Sequence, residues 1–573
     1  MKKIIYSISV ATMTLLVGCS NDFTDTENLL EKSLSNYYAR PQDIDEAMGG
    51  VYNALYTAGV HSDEGIAANL LSDMMFGGGG PDDRSAKNVD SFQDPEEDTY
   101  KDLWVQTYNG IYRCNMLLEK VPEADYSNYF LTEEESVEFV NQTLAEAYFM
   151  RGFLYFRAAK FFGGIPIINQ TDAPKDVPRA SITDTYAQIA ADFKMAIDLF
   201  PSTPFTSIPT ERYGHANKWV AEAYMAKAFL YYTGYMTNIE GQAASDLPLP
   251  EGGSVSKSQA ISYLDDCINN SGYGLANDFR NLWPYSYVNE SAKDTILPWA
   301  ATEGLKWVGQ DGLTPTFGTG NKEFMFVQRY STTNWDWGQQ YNNRMPLFFG
   351  IRDNTELIPF GQGWGWCPVN PTLWSQWDDA DPRKKGSILQ LGDPDQGTGG
   401  WQADKGDHET GLVNKKYITL KHDDPDPAGE DGVKGMFYFL YDMNNGDPLQ
   451  LWAAQDFVYL RFADVLLMHS EISETADGLN AVRGRAGLGA VGYSLNALKE
   501  ERLHEFAFEG LRWFDLVRWG DVDDAFGTSI NVRNSGVDAT YSVEYRPETK
   551  GLVPIPESEV RLSNGVYEQN PGW

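Results

Sequence analysis

The sequence predicts a mostly α-helical protein. We expect a scaffold of about four tetratricopeptide-like helix pairs, with a loop-rich, aromatic second part packed on it. An internal repeat predicts the scaffold, and a change of texture near residue 275 predicts the second part.

The repeat is the first of these observations. Residues 145–156, AEAYFMRGFLYF, align with residues 221–232, AEAYMAKAFLYY, and the two segments are identical at seven positions. Small residues beside large aromatic ones at helical spacing are typical of interlocking helix pairs in repeat proteins. We expect partner helices at 181–200 and 256–270, earlier helices at 43–56 and 100–119, and a weaker third copy at 457–474.

The change of texture is the second observation. From about residue 275 to 451, periodic helices give way to segments rich in Trp, Gly, Asn, Asp and Pro, and ten of the 16 tryptophans lie there, with Trp452 directly after. A loop region of this length inside a folded chain is usually functional or inserted. Large aromatic residues are mostly buried, however, so core packing is the alternative for each tryptophan.

The C-terminal stretch 459–519 indicates further helices. A helix at 476–486 would end at Gly487, which stands where a C′ glycine is expected. Ser494 stands at an N-cap position, and a last short helix would stop at Gly520.

Three glutamates in this stretch, Glu501, Glu505 and Glu509, are spaced four residues apart and would share one helical stripe. Like charges at this spacing destabilise a helix, so basic side chains must face them. We expect a structural Arg/Glu network rather than an acidic active site, with partners drawn from Arg461, Arg483, Arg485, Arg512 and Arg518.

This stretch resembles the C-terminal signature of the RagB/SusD family, the glycan-capturing outer-membrane lipoproteins of the Bacteroidota. Leu552-Val553-Pro554-Ile555-Pro556 and the terminus Gln569-Asn570-Pro571-Gly572-Trp573 resemble it as well. The resemblance implies cell-surface binding of a poly- or oligosaccharide without catalysis. It also implies a partner, a SusC-like TonB-dependent outer-membrane transporter that the protein would cap as a hinged lid.

The N-terminus predicts a lipoprotein. Lys2 and Lys3 precede an apolar run, and Gly18 stands directly before Cys19. The run is too short to span a bilayer, so residues 1–18 are expected to be a signal peptide and Cys19 to carry lipid. We expect outer-membrane localisation, with the protein facing the cell exterior and the membrane contacted through the N-terminal lipid only.

The predicted organisation has five parts. They are the signal peptide 1–18, a tether 19–40, a tetratricopeptide-like part 41–274, a loop-rich aromatic part 275–455, and C-terminal helices 456–573 that complete the scaffold.

Composition excludes several functions. The chain has 573 residues and a formal net charge of −36, which disfavours nucleic acid and anionic membranes as partners. The remaining cysteines, Cys114, Cys267 and Cys367, have no zinc or disulfide spacing, and Cys114 and Cys267 are expected to be small core residues.

Catalytic motifs are also absent. No HExxH helix or Gly-x-Ser-x-Gly elbow occurs in the sequence, and we expect no enzymatic activity. The alternatives are a secreted glycoside hydrolase, whose carboxylate pair sequence alone does not exclude, and a purely structural lid of the transporter.

We expect no cofactor. The acidic loop containing Asp423, Asp424, Asp426, Glu430 and Asp431 lacks EF-hand spacing. A solvated charge run is favoured there over a calcium site.

A sugar site needs exposed flat aromatic rings and planar polar groups. Residues 330–344 offer Asn334, Trp335, Trp337 and Arg344. Trp335 and Trp337 are candidates for stacking, with core burial as the alternative.

Two further stretches are candidates. Residues 70–83 carry Asp73, Asp82 and Asp83 around the run Gly77–Gly80, whose glycines would let a ligand approach the backbone. Turn formation is the alternative for these carboxylates. Trp364 and Trp366 form the third candidate, and of the three candidates they have the most apolar surroundings. The resemblance places the family's binding surface on loops from these parts of the chain, but it assigns no contacting residue.

Overall fold

The computed structural model describes residues 37–57, 64–95, 98–174, 176–287, 303–309, 321–331, 341–353, 360–396, 398–399, 404–420 and 453–573. In the N-terminal part, the described residues form eight helices. These are α1 (Pro41–Tyr52), α2 (Glu64–Leu70), α3 (Ser85–Asp90), α4 (Lys101–Lys120), α5 (Glu133–Phe162), α6 (Ile182–Leu199), α7 (Lys218–Asn238) and α8 (Lys257–Asn270).

The helices of the scaffold pack as antiparallel pairs, which confirms the predicted fold class. The pairs are α1 with α4, α5 with α6, α7 with α8, and two C-terminal helices, α12 (Phe462–Ser473) with α13 (Asp477–Arg485). Small residues allow the close approach. Ala145, Ala147, Ala221 and Ala223 of the repeat are fully buried, and a Cβ on Gly152 would lie 3.0 Å from Asp192 of the neighbouring helix.

The remaining described elements are short. The described helices are α9 (Met345–Phe349), α10 (Pro371–Gln376), α11 (Pro382–Ser387), α14 (Leu495–Glu505), α15 (Arg512–Trp519), α16 (Val522–Ala525) and α17 (Glu557–Leu562). The described strands are β1 (Leu247–Pro248), β2 (Ser254–Val255), β3 (Phe324–Gln328), β4 (Ile351–Arg352), β5 (Gln362–Gly363), β6 (Ile388–Gln390), β7 (Leu412–Asn414), β8 (Phe457–Arg461), β9 (Ile530–Asn534) and β10 (Val537–Tyr541). They form two-stranded sheets, β1–β2, β3–β8, β6–β7 and β9–β10 antiparallel and β4–β5 parallel.

The predicted third repeat copy is partly wrong. Residues 457–461 are strand β8, which pairs with β3 in the register Phe457↔Gln328 and Phe324↔Arg461, and the helix begins only at Phe462. All five strand residues are buried. A segment buried on both faces has no alternation, so its apolar spacing does not distinguish a strand from a helix.

The predicted helix start at Ser494 and the predicted helix ends at Gly487 and Gly520 are confirmed. Ser494 caps α14 by accepting a hydrogen bond from the N–H of Ala497 at 3.1 Å. Gly487 adopts φ +75° directly after the C-cap of α13, and Gly520 adopts φ +72° at the end of α15.

The charge network is also confirmed, but two of the candidate cations, Arg512 and Arg518, pair instead with Asp73 and Glu471, and the position of Glu509 needs correction. Helix α14 ends at Glu505, and Phe508 has φ +67°, so Glu509 lies beyond the helix rather than on its stripe. The three glutamates nevertheless meet buried cations. The contacts are Arg383 with Glu501 and Glu505, Arg461 with Glu505 and Glu509, Arg485 with Glu505, and Lys416 with Glu509. Because all these groups are buried and mutually paired, the network locks α14 against α11, β8 and α13.

The repeated glutamates, Glu146 on α5 and Glu222 on α7, occupy equivalent positions and are both buried. Their surroundings differ. Glu146 accepts hydrogen bonds from Tyr52 at 2.7 Å and Arg212 at 2.5 Å. Burial opposes its ionisation, but the charge of Arg212 together with the contacts of His215 and Tyr52 outweighs this and holds the pKa of Glu146 at about 2.

Glu222 has a weaker counter-charge. The ammonium of Lys218 lies 3.5 Å from Glu222 Oε1, but it lies closer to Asp266, at 2.8 Å. Burial, together with the nearby negative charge of Asp266, raises the pKa of Glu222 to about 8. The same residue in the same repeat position is therefore ionised in one copy and protonated at neutral pH in the other.

Candidate ligand-binding surface

Several predicted site residues lie outside the described residues. Asn334, Trp335 and Trp337 belong to the segment 332–340, Cys19 to the segment 1–36, and the acidic loop at 423–431 to the segment 421–452. The structure does describe the residues that flank the segment 332–340.

Three tyrosines lie at or beside the two residues that flank the segment 332–340. These two flanking residues are joined, since the N–H of Ser331 donates to the carbonyl of Tyr341 at 2.5 Å. Beside this junction Tyr56 meets Tyr330 and Tyr341 edge to face, with ring centroids 5.6 and 5.4 Å apart. Tyr341 is 40% exposed, so its ring offers a flat surface to solvent.

The sequence analysis did not find this tyrosine trio. Tyr330 lies at the edge of the candidate stretch, but Tyr56 lies just after the end of α1, far away in the chain. The only local signal was an aromatic residue ending a predicted helix, which is common in cores.

The structure brings the other two candidate stretches together. The N–H of Gly78 donates to the carbonyl of Trp366 at 2.8 Å, and that of Phe76 to Pro368 at 3.2 Å. The glycine run therefore lies against the Trp364–Trp366 segment as an extra strand-like contact.

The predicted reason for the glycine run is wrong. A Cβ on Gly77 would lie 2.5 Å from the backbone of Lys87, and one on Gly79, at φ +97°, would lie 2.6 Å from the Trp366 ring. The glycines thus admit other parts of this chain, and the space expected for a ligand is filled.

The three aspartates of this stretch have different surroundings. Asp73 forms a two-point ion pair with Arg512, at 2.8 and 2.7 Å. Asp83 accepts from the N–H of Gly80 at 2.6 Å, which favours the turn-forming alternative. Asp82 is exposed.

Trp366 is a packing residue in this structure. It is 8% exposed and its ring centroid lies 4.6 Å from that of Phe348 and 5.5 Å from that of Trp364. Trp364 is half-buried against the same cluster. Arg344 is the N-cap residue of α9, the helix that carries Phe348.

A buried carboxyl anchors the glycine run. Asp90 accepts from the N–H of Gly77 at 2.6 Å and from the hydroxyl of Tyr541 at 2.8 Å. Burial raises the pKa of Asp90 to about 7, against the effect of these hydrogen bonds. His408 stacks on Tyr541 with ring centroids 4.0 Å apart, and burial lowers its pKa.

The described residues contain no group of three or more His, Cys, Asp or Glu side chains that could hold a metal ion. Within the same part of the chain, the cysteines Cys114, Cys267 and Cys367 are buried and unpaired, which confirms that Cys114 and Cys267 are core residues. None of the described helices has the length and apolar character needed to cross a membrane.

Comparison with known proteins identifies relatives over the whole chain. A family model described as "Starch-binding associating with outer membrane" matches residues 22–230, and the model of the SusD family matches residues 370–573. The chain is 24% identical to SusD-like protein P2 of Formosa agariphila over 610 aligned residues that cover all of both chains. It is 21% identical to a SusD-like protein of Bacteroides ovatus, covering 89% of this chain and 82% of the relative.

Solved structures share the fold. A laminarin-binding SusD-like protein has a TM-score of 0.68 and 22% identity, with 94% of this chain and 100% of that chain covered. Surface glycan-binding protein A of Bacteroides thetaiotaomicron, solved with laminarihexaose, has a TM-score of 0.67 and 18% identity, with 93% and 100% covered. The family models at both ends of the chain, the full-length relatives and the shared fold agree, and the chain belongs to the RagB/SusD family.

Proposed function

We propose that this protein binds a poly- or oligosaccharide at the cell surface, without catalysis, and delivers it to a TonB-dependent transporter of the SusC type. The observation that best supports glycan binding is the tyrosine trio, Tyr56, Tyr330 and Tyr341. It lies beside the residues that flank the segment containing Trp335 and Trp337. Exposed aromatic rings stack on the apolar faces of sugars.

Family membership supports the remaining parts of the proposal. One matching family model is described as associating with the outer membrane, which agrees with a lipid on Cys19. Replacing Cys19 by Ala should move the protein from the membrane fraction to the soluble fraction. Retention of this variant in detergent-free membranes would contradict lipid anchoring.

Delivery to a transporter is tested by purification in mild detergent from native membranes. The proposal expects a complex with a TonB-dependent barrel. A lone monomer, under conditions in which related pairs survive, would count against it.

Glycan binding is tested with laminarihexaose first, because two structural neighbours are named for laminarin or laminarihexaose, and then with a panel of other glycans. We expect Tyr341→Ala and Trp335→Ala each to weaken binding by about 1–3 kcal/mol, by analogy with bases stacked on aromatic side chains. Tyr112→Ala is the matched control, since Tyr112 is a 50% exposed tyrosine on α4.

The same panel separates the alternatives. Release of reducing ends would indicate a glycoside hydrolase. A protein that binds none of the glycans but still copurifies with the transporter would be a structural lid. Normal binding by both variants, with Tyr112→Ala equally normal, would place the site elsewhere.

The proposed function requires no cofactor. Calorimetric titration of chelator-treated protein with calcium tests the acidic loop at 423–431. We expect neither heat of binding nor a rise in melting temperature.

A further inference from the structure

A half-buried arginine stands immediately before Tyr330 of the tyrosine trio. The backbone carbonyl of Arg329 accepts a hydrogen bond from the hydroxyl of Tyr56, and Tyr330 meets Tyr56 edge to face. The Arg329 side chain turns to a neighbouring segment, where Nη2 donates to the carbonyl of Tyr213. Arg329 is therefore fixed to the trio through its backbone and to a second segment through one edge of its guanidinium group.

The rest of this guanidinium group is unpaired. Within the part of the chain that the structure describes, Arg329 has no ion pair, its Nε is buried without a hydrogen-bond partner, and its Nη1 donates to no acceptor. The chain has 81 acidic and 45 basic residues, so a shortage of carboxylates does not explain this. A partly exposed guanidinium group with free donors can bind an acceptor from outside the chain.

A second arginine without an ion pair lies next to the trio, on its buried side. Arg157 of α5 is 1% exposed and donates to the carbonyls of Ala54 and Leu55, at 3.2 and 3.5 Å. These are the two residues directly before Tyr56. Among the residues described, no carboxylate lies within ion-pair distance of Arg157. Because arginine stays protonated in proteins, a buried positive charge lies behind Tyr56.

A buried carboxylate, Asp456, acts against these cations. Burial raises the pKa of Tyr56, and the charge of Asp456 acts in the same direction. The charge of Arg329 acts in the opposite direction, so both charged groups lie close to the Tyr56 hydroxyl. Asp456 is 5% exposed whereas Arg329 is half-buried. A ligand at the trio would therefore contact the cation and not the carboxylate.

The net charge of −36 does not decide the charge of a ligand at this site. At physiological ionic strength the Debye length is about 8 Å, so distant carboxylates act only weakly on a bound ligand. The groups beside the trio act most strongly. Among the described ones, two arginines without an ion pair face one buried carboxylate. The local balance is therefore positive in a chain that is acidic as a whole.

We propose that the glycan bound at the tyrosine trio is anionic: its sugars carry carboxylate or sulfate groups, and Arg329 holds one such group while a sugar ring stacks on Tyr341. The planar fork of a guanidinium group matches two oxygens of a carboxylate or a sulfate. Arg329 is then a residue that determines specificity. This inference rests on the proposed function, since it names the class of glycan for the same site.

Matched pairs of oligosaccharides test the charge of the ligand. One pair is an oligomannuronate and the neutral manno-oligosaccharide of the same linkage and length. The other pair is a sulfated galacto-oligosaccharide and its desulfated counterpart, so the two pairs distinguish a carboxylate from a sulfate. Affinities are measured by calorimetry on the mature full-length chain without lipid. We expect at least one anionic sugar to bind at least about tenfold more tightly than its neutral counterpart.

Variants of Arg329 test whether this residue causes the preference. Arg329→Gln removes the charge but keeps a hydrogen-bond donor for the Tyr213 carbonyl. It should lower the affinity for the anionic sugar at least about tenfold and leave that for the neutral one unchanged. Arg329→Lys keeps the charge without the fork and should retain part of the preference. Arg561→Gln is the control, because it removes an arginine of α17 whose side chain is 60% exposed, and it should change neither affinity.

Three outcomes would overturn the inference: equal affinities within both pairs, an anionic preference that survives Arg329→Gln, or an equal loss in Arg561→Gln. Melting temperatures show whether each variant is folded. If Arg329→Gln melts early, Arg329→Lys decides, and a full preference in that variant counts against the fork. If the wild type retains only neutral glycans of the panel, this inference fails and the proposed function stands. If it retains no glycan, neutral or anionic, the proposed function fails as well.

Discussion

Replacing Glu222 by Gln should abolish part of the pH dependence of stability. Burial and the charge of Asp266 raise the pKa of Glu222 from 4.5 to about 8 in the folded protein. Between these two pH values the folded protein holds a proton that the unfolded chain has lost. Rising pH therefore favours unfolding, and the free energy of unfolding falls across the window from pH 4.5 to 8.

The size of the pKa change sets how much the free energy of unfolding falls. One pKa unit corresponds to about 1.4 kcal/mol, so a pKa raised from 4.5 to about 8 corresponds to a loss on the order of 3–5 kcal/mol by pH 8. Glutamine stays neutral and can donate to Asp266 as the protonated acid does. We expect Glu222→Gln to match the wild type near pH 5 and to exceed its free energy of unfolding at pH 8.

Glu146→Gln is the matched control, because Glu146 occupies the same repeat position with the opposite shift. Its pKa falls from 4.5 to about 2, so its contribution is present above pH 4.5 and is lost as the pH falls towards 2. We expect this variant to be less stable than the wild type by roughly 3 kcal/mol at pH 7, and to converge with it in acid.

The assay is denaturant unfolding of the mature chain without lipid, followed by circular dichroism at pH 3, 5, 6, 7 and 8. The difference between each variant and the wild type removes the contribution of other titrating groups such as Asp90. Parallel curves for the wild type and Glu222→Gln would refute the reasoning, because they would show that Glu222 is ionised throughout or loses no proton on unfolding.

Three further predictions concern packing and the buried charges. Gly478→Ala should destabilise the protein by several kcal/mol, since its Cβ would lie 2.1 Å from the carbonyl oxygen of Leu466. Gly484→Ala on the same helix meets nothing within 4 Å, and it should raise stability by about 0.5–1 kcal/mol in thermal denaturation. Glu505→Gln should cost about 3–5 kcal/mol, because it weakens contacts with Arg383, Arg461 and Arg485 at the centre of the buried network; a loss below 1 kcal/mol would show that these cations find other partners. The buried cysteine thiols should not react with a thiol reagent until the protein unfolds, and fast labelling of the native protein would contradict their burial.

Local patterns were sufficient for the helical scaffold. The repeat predicted α5 and α7, and the cap positions at Ser494 and Gly487 predicted where α14 begins and α13 ends. These features depend on neighbours within a few residues, which sequence spacing records directly. Strand β8 was missed because its pairing partner β3 lies more than 100 residues earlier in the chain.

The candidate surface was harder to predict for the same reason. The glycine run was interpreted as space for a ligand, because sequence shows that a side chain is absent but not what fills its place. Trp366, Pro368 and Lys87 fill it here. The tyrosine trio joins Tyr56 to two residues that are distant in sequence, and no local pattern marks such a meeting.

The repeated glutamates show why a motif alone does not assign a role. The two copies share the sequence AEAY, and both carboxyls are buried. Arg212, which approaches only the first copy, keeps Glu146 ionised, while Lys218 is shared between Glu222 and Asp266 and leaves Glu222 protonated at neutral pH. The same principle applies to the aromatic residues. Most serve the core, and those that remain available for a ligand or a partner are the ones whose neighbours leave a ring exposed.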